Sequence, residues 1–292
     1  MFSLACDKAL VVSKYNDCFR HQTAGAFKLI CQSYELIEKL PVGTKVFDIG
    51  CGTGSVTKFL SAFTNLTQIV GVDVSIDMLK IANETVCDSR IEFVPGDITQ
   101  YNTLPERLRN AECGLVTSFS VLHWIKDQQI ALENIFKCLR SGGVFVAMLL
   151  AKKTNMYSTI FNEIWSDPRF ASYRKVEPKD YEWKSDSPEV DYCKMLESAG
   201  FQVLRCEQTP TNYFLTFDEF DGELQAGFQR FAENIPGHLR DIYFNTVREK
   251  LLAHSTVVST NASNEPLDGK NESERFVKLG EEQRLFVVCR KP

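Results

Sequence analysis

The segment Val46-Phe47-Asp48-Ile49-Gly50-Cys51-Gly52-Thr53-Gly54 constrains this chain more than any other. A buried-strand pattern runs into three glycines at alternate positions and then into a helix-like stretch, Ser55 to Ala62. Glycines so spaced let the backbone turn sharply, present its amides and come within van der Waals distance of a ligand, where a Cβ would collide. A dinucleotide site carries two residues before its third glycine, G-x-G-x-x-G, and aims a helix N-terminus at a pyrophosphate. Here the third glycine comes one residue early, and Asp48 stands at the strand end two residues before the first. A carboxylate in that place suits a cationic ligand better than a diphosphate.

Two further strand ends carry acids. In Gln68-Ile69-Val70-Gly71-Val72-Asp73 the acid falls 19 residues after Gly54. That spacing puts Asp73 at the carboxyl edge of a neighbouring parallel strand, from which an acid reaches the ribose hydroxyls of a nucleoside. Ile91-Glu92-Phe93-Val94-Pro95-Gly96-Asp97-Ile98 closes a third strand the same way. Capping of the following helices is the competing reading for Asp73 and Asp97.

Taken together, D-x-G-x-G-x-G and the ordered strand-end acids resemble the class I S-adenosylmethionine-dependent methyltransferases. The resemblance implies an α/β, Rossmann-like sheet of seven mostly parallel strands with helices on both faces and an antiparallel last strand. S-adenosylmethionine is then the cofactor, held by Asp48, Gly50, Cys51, Gly52, Gly54, Asp73, Val74, Met78, Asp97, Ile98 and Ser118. On the same resemblance Asp97 receives the adenine amino group and Ile98 covers the ring.

A chain of 292 residues fits one α/β domain with a cap and is long enough to bury a full core. The net charge of -5 argues against a nucleic-acid substrate, since phosphate backbones are held by basic surfaces. Ten cysteines are scattered without a C-x-x-C pair or a His-Cys cluster, several inside apolar segments. They read as free thiols in a reducing compartment, with no metal site. The N-terminus lacks a charged lead followed by an apolar run, and no segment approaches the roughly 18 apolar residues of a membrane helix. A cytoplasmic protein with no membrane anchor, a monomer or weak homodimer, is expected.

Between Lys45 and Leu150 strand and helix patterns alternate at the spacing of βαβ units, which gives a parallel sheet. Ser75 is placed to cap the helix that carries Asp77 and Met78. Pro188 to Ala199, stopped by Gly200, reads as a helix, and Phe201 to Cys206 and Leu285 to Cys289 as the last two strands. The expected organisation is an N-terminal helical segment, 1–40, covering the active site; a cofactor-binding core, 41–150; an insertion, 151–187; the rest of the core, 188–208 and 284–292; and a helical cap with a mobile loop, 209–283. Within the last, Phe217 to Glu233 and Leu239 to Ala253 have helical character, and residues 255–283 are polar with few apolar anchors.

The loop after the fourth strand lies where ligands bind in such sheets, outside the carboxyl ends at the point where strand order reverses. Ser118-Phe119-x-x-Leu122-His123-Trp124-Ile125, followed by Gln129, Ala131, Asn134 and Ile135, resembles the corresponding segment of the arthropod juvenile hormone acid and farnesoic acid O-methyltransferases. Ser13-Lys14-Tyr15-Asn16 and Gln22 echo the same family's N-terminal helix and substrate-facing glutamine. The likeness covers roughly residues 10–150 and implies a small lipophilic carboxylic acid as substrate, with Gln22, Trp124 and His123 as the catalytic set.

Elementary chemistry agrees with that implication. A carboxylate is ionised near pH 7, so methylation of its oxygen needs no strong base. What it needs is alignment and exclusion of water, worth roughly 7–11 kcal/mol in ideal geometry. The Gln22 amide and the Trp124 indole N–H are neutral donors that orient a carboxylate without quenching it as Lys or Arg would. Packing is the alternative role for Trp124, solvation for Gln22, and a backbone hydrogen bond for His123. Phe214, Phe217, Phe220, Phe228, Phe231, Tyr213, Tyr243, Trp165 and Trp183 are rich enough to line an isoprenoid pocket. Four of them, Phe217, Phe220, Phe228 and Phe231, recur at helical spacing, which assigns most of these rings to packing. Other readings are a polar acid of the trans-aconitate type, decided by where Arg20, Lys152, Arg174 or Arg230 point; an amine acceptor; or a cofactor-binding protein without catalysis.

Overall fold

The computed structural model describes residues 20–152, 155–174, 186–211, 214–259, 275–278 and 282–292. Ser13 to Asn16, Tyr213 and Trp183 lie outside the described residues, as do the side chains of Lys152 and Arg230. Among those described, ten strands run in chain order: β1 Thr44–Ile49, β2 Leu66–Asp73, β3 Ile91–Pro95, β4 Cys113–Phe119, β5 Leu139–Lys152, β6 Gln202–Thr211, β7 Phe214–Leu215, β8 Thr256–Ser259, β9 Arg275–Lys278 and β10 Glu282–Arg290.

Seven of them form one sheet in the order β3-β2-β1-β4-β5-β10-β6. Strand β1 lies parallel to both β2 and β4, β2 to β3, and β4 to β5, whereas β10 runs antiparallel to β5. From β1 the chain moves outward to β2 and β3, then crosses back to place β4 on the other side of β1. That reversal opens a crevice at the carboxyl ends of β1 and β4, the standard ligand position of open parallel sheets. The parallel sheet expected from the alternation is observed, and so is the Rossmann-like α/β fold with one antiparallel strand that the resemblance implied.

Period-2 alternation sends neighbouring residues to opposite faces, and each face is buried under helices. Phe145, Ala147 and Leu149 of β5 join Phe47, Val70, Leu285 and Val287 on one face, with Leu132 and Ile135 of the helix Gln128–Cys138 and Tyr192 and Leu196 of the helix Pro188–Ser198. Val144, Val146 and Met148 turn the other way, with Val46, Leu115, Phe286 and Val288 and with Ala26, Leu29 and Ile30 of the helix Arg20–Gln32. The helix containing Gln22 is therefore a layer of this unit. Ser75 caps the helix Ile76–Thr85 as expected, its hydroxyl accepting from the Met78 amide at 3.4 Å.

A second compact unit contains residues 155–174 and 214–278 among those described. Its amphipathic helices Asn155–Ser166, Phe217–Ala232 and Gly237–His254 share a core of Ile160, Phe170, Phe220, Phe228, Phe231 and Tyr243. The rings at helical spacing are thus mainly packing. Thr216 opens the second of these helices with a capping box, its hydroxyl accepting from the Glu219 amide while the Glu219 carboxylate accepts from the Thr216 amide. One expectation is corrected here. Residues 255–283 are not loop throughout, because β8 and β9 pair antiparallel and β9 pairs β7 in a three-stranded sheet. Val277, fully buried, supplies the apolar anchor that the polar composition concealed.

Candidate functional site

All three glycines of the turn after β1 have left-handed backbones, with φ of +67° at Gly50, +54° at Gly52 and +81° at Gly54. Two of them need to be glycine for different reasons. A Cβ at Gly50 would lie 2.2 Å from Cγ2 of Val121, inside the loop that follows β4, whereas a Cβ at Gly52 would meet nothing within 4 Å. Gly50 is where two loops touch; Gly52 faces open space, as a backbone built to meet a ligand must.

The strand-end acids hold this turn. Asp73 accepts from the Gly52 amide through Oδ2 at 2.9 Å and from the Ser75 amide through Oδ1 at 2.8 Å. Asp48 lies beneath the turn, 2% exposed, with Oδ1 taken by the Thr117 hydroxyl and Oδ2 by the Thr57 hydroxyl, each at 2.6 Å. Burial raises its carboxyl to about 6, the two hydroxyls oppose the rise, and the charge of Asp73 adds to it. Cys51 lies in the same turn, its thiol pushed far above the ordinary range by burial first and by Asp48 and Asp73 next, so it is a neutral packing group there.

Around the heads of β2 and β3 lie the other residues expected to hold the cofactor. Val74 is 71% exposed and Ile76 64%, two large apolar side chains left open beside Asp73, and Met78 is half-buried one turn on. Asp97 accepts from the Thr99 amide and hydroxyl through Oδ1 and from Gln100 Nε2 through Oδ2, closing its own turn. Ile98 is buried in the core, and its carbonyl accepts from Asn134 Nδ2. Ser118 is buried within the sheet, where its hydroxyl donates to the Ile49 carbonyl at 3.2 Å.

Past β4 the chain enters the loop through Ser120, a non-glycine residue at φ +60° whose amide donates to the Met148 carbonyl. A single 3₁₀ turn, Leu122–Trp124, follows, with Leu122 buried and its carbonyl accepting from Gln128 Nε2. His123 Nδ1 accepts from the Leu150 amide at 3.4 Å, so the imidazole is oriented by a backbone hydrogen bond. The Trp124 ring stands 4.9 Å from it and is half exposed. Gln22 is half-buried in the first turn of the helix Arg20–Gln32, on the sheet face to which Met148 belongs.

Three groups escaped the sequence reading: Thr57 and Thr117, which satisfy Asp48, and Arg284 of β10, which is 5% exposed and donates through Nη1 to the Ser120 hydroxyl at 3.1 Å. None of the three left a signal along the chain, since Arg284 follows Glu281, Glu282 and Gln283 and stands just outside the apolar run Leu285 to Cys289.

An open cradle at Gly52, a carboxylate at the head of the adjacent strand and two exposed apolar side chains beside it fit a nucleoside with a cationic tail. Residues 47–147 match the family model described as methyltransferase domain. A protein from Bacillus halodurans C-125 described as a candidate methyltransferase shares the fold, with a TM-score of 0.56 at 18% identity, over 92% of this chain and 99% of that one. The chain carries a methyltransferase domain over residues 47–147, and S-adenosylmethionine is its cofactor. It is 29% identical over 244 residues to juvenile hormone acid O-methyltransferase of Bombyx mori, across 79% of this chain and 84% of that protein. It is also 29% identical over 205 residues to phosphoethanolamine N-methyltransferase 1 of Zea mays, across 68% of this chain and 35% of that protein.

Proposed function

We propose that this methyltransferase esterifies the carboxylate of a lipophilic isoprenoid acid, farnesoic acid or a juvenile hormone acid. The observation that carries the reading is the Leu122-His123-Trp124 turn at the carboxyl end of β4, in a chain similar to the Bombyx mori enzyme over 79% of its length. When bound, S-adenosylmethionine supplies a methyl on cationic sulfur, taken by the acceptor oxygen as the carbon–sulfur bond breaks and its electron pair returns to sulfur.

In this reading Gly50, Cys51, Gly52 and Gly54 shape the turn that meets the cofactor, with Asp48 setting its conformation from below. Asp73 holds the ribose hydroxyls, Val74 and Met78 give the apolar wall, and Asp97 serves the adenine, while Ile98, expected to cover the ring, is packed in the core behind it. Ser118 acts through the Ile49 carbonyl, keeping the heads of β1 and β4 in register. Gln22 and the Trp124 indole N–H orient the acceptor carboxylate, and His123, fixed by the Leu150 amide, sets the angle of the Trp124 ring. The net charge of -5 supports a small-molecule acceptor rather than nucleic acid. Among the described residues no helix is long and apolar enough to cross a membrane. A cytoplasmic monomer or weak homodimer without a membrane anchor completes the proposal.

The test is incubation with methyl-labelled S-adenosylmethionine and farnesoic acid, followed by extraction of the ester. Labelled ester supports the reading. Cofactor bound without ester from any isoprenoid acid rejects the acceptor and leaves the methyltransferase class standing. A second reading, an amine acceptor, is supported by the similarity to the Zea mays enzyme, and phosphoethanolamine in the same assay decides it.

A further inference from the structure

Arg284 is a charged side chain buried to 5% exposure near the start of β10, paired across the sheet with Leu150 of β5. Taking a guanidinium out of water is costly, and such groups are retained where their charge is used. Its neighbours lead to His123, to the helix that carries Gln22 and to Ser120. Leu150, its partner on the rung, gives its amide to His123. Met148 Sδ lies 3.8 Å from its Nη1, and a Cβ at Gly25 would lie 2.9 Å from the same sulfur. Gln22 is one helical turn ahead of Gly25, on the same face. The hydroxyl of Ser120 receives its Nη1 proton.

Ser120 is the second half of the observation. A serine at φ +60° occupies the left-handed region that costs a non-glycine residue roughly 1–2 kcal/mol, strain that collects at functional sites. The half-buried residue stands two positions before the Leu122–Trp124 turn, with its hydroxyl within hydrogen-bond reach of the arginine. A hydroxyl has one proton and two lone pairs. With a lone pair held by Arg284, the proton of Ser120 is turned away from the guanidinium and strengthened as a donor by it.

We propose that Ser120 and Arg284 form a relay that recognises the anionic oxygen of the acceptor, Ser120 donating to it and Arg284 acting as a positioning residue one hydrogen bond behind. The inference rests on the acid-acceptor reading above. The relay answers a chemical difficulty: a guanidinium in direct contact would quench a carboxylate nucleophile, whereas one hydroxyl removed it contributes its field and leaves the attacking lone pair free. It makes the site selective for anionic over neutral acceptors.

The experiment compares farnesoic acid with its primary amide, by calorimetry in the presence of S-adenosylhomocysteine and by steady-state kinetics. Ser120→Ala and Arg284→Met are each expected to weaken the acid at least about tenfold and the amide by less than about threefold, with the loss in KM rather than kcat. The double variant is expected to be no worse than the weaker single one, since the two act as a unit. S-adenosylhomocysteine affinity stays at the wild-type value. Equal weakening of acid and amide, or additive losses, overturns the relay. If Arg284→Met does not fold, Ser120→Ala and Arg284→Lys decide: an acid preference untouched by Ser120→Ala overturns it. Wild-type protein that binds no acid sinks both this inference and the acid-acceptor reading, whereas acid binding indifferent to the variants sinks this inference alone.

Discussion

Asp73 Oδ2 accepts from the Gly52 amide at 2.9 Å, so the acid proposed to hold the ribose also fixes the backbone of the glycine turn. A single side chain thus couples the two halves of the cofactor site. Replacing it with alanine removes a charge-assisted hydrogen bond and lets the turn relax. We expect Asp73→Ala to weaken S-adenosylmethionine at least about tenfold, and Asp73→Asn, which keeps one acceptor, to fall between. Calorimetry checks this; wild-type affinity in Asp73→Ala would remove Asp73 from the site.

Gly50 and Gly52 are predicted to separate folding from binding. Gly50→Ala forces a Cβ to 2.2 Å from Val121 at φ +67°, and it should lower Tm by several degrees. Gly52→Ala meets nothing within 4 Å, so it carries only the left-handed strain and should stay folded while losing cofactor. Thermal melts with and without S-adenosylhomocysteine distinguish the two. A Gly52→Ala protein stabilised by the ligand as much as wild type would contradict the cradle.

Asp48 gives a pH signature with an unusual sign. Its carboxyl titrates near 6 in the fold against 3.8 ordinarily, because burial outweighs the Thr117 and Thr57 hydroxyls. Between those values the folded protein keeps a proton that the unfolded chain has lost, so stability falls as pH rises through the window and stays lower above it. The displacement corresponds to ~3 kcal/mol against the charged form. Asp48→Asn lacks this slope. Its Tm relative to wild type should be higher at pH 7.5 than at pH 5, and an identical difference at both would show that Asp48 is not held up by burial.

Trp124→Ala and Gln22→Ala are expected to cut turnover of farnesoic acid by one to two orders of magnitude, about 1.4 kcal/mol per tenfold, with S-adenosylmethionine affinity near wild type. Trp124 is half exposed, so its removal opens no core cavity. Loss of cofactor binding to the same degree would assign both residues to structure instead.

The turn, its three glycines and the acids at the heads of β1, β2 and β3 were legible in the sequence because each is a local pattern: a strand of fixed period, a glycine where φ must be positive, an acid one residue past an apolar run. The parallel sheet followed from the same periodicities, whereas its antiparallel last strand came from the resemblance. Tertiary structure alone decided what those residues touch. Asp48 is satisfied by Thr117, 69 positions away, and Ser120 by Arg284, 164 positions away. Val277 earns its burial from strands that its polar flanks do not announce. Pattern along a chain specifies which face a residue takes. The partner it meets depends on strand order and register, set by the packing of segments far apart in sequence and invisible to any local window.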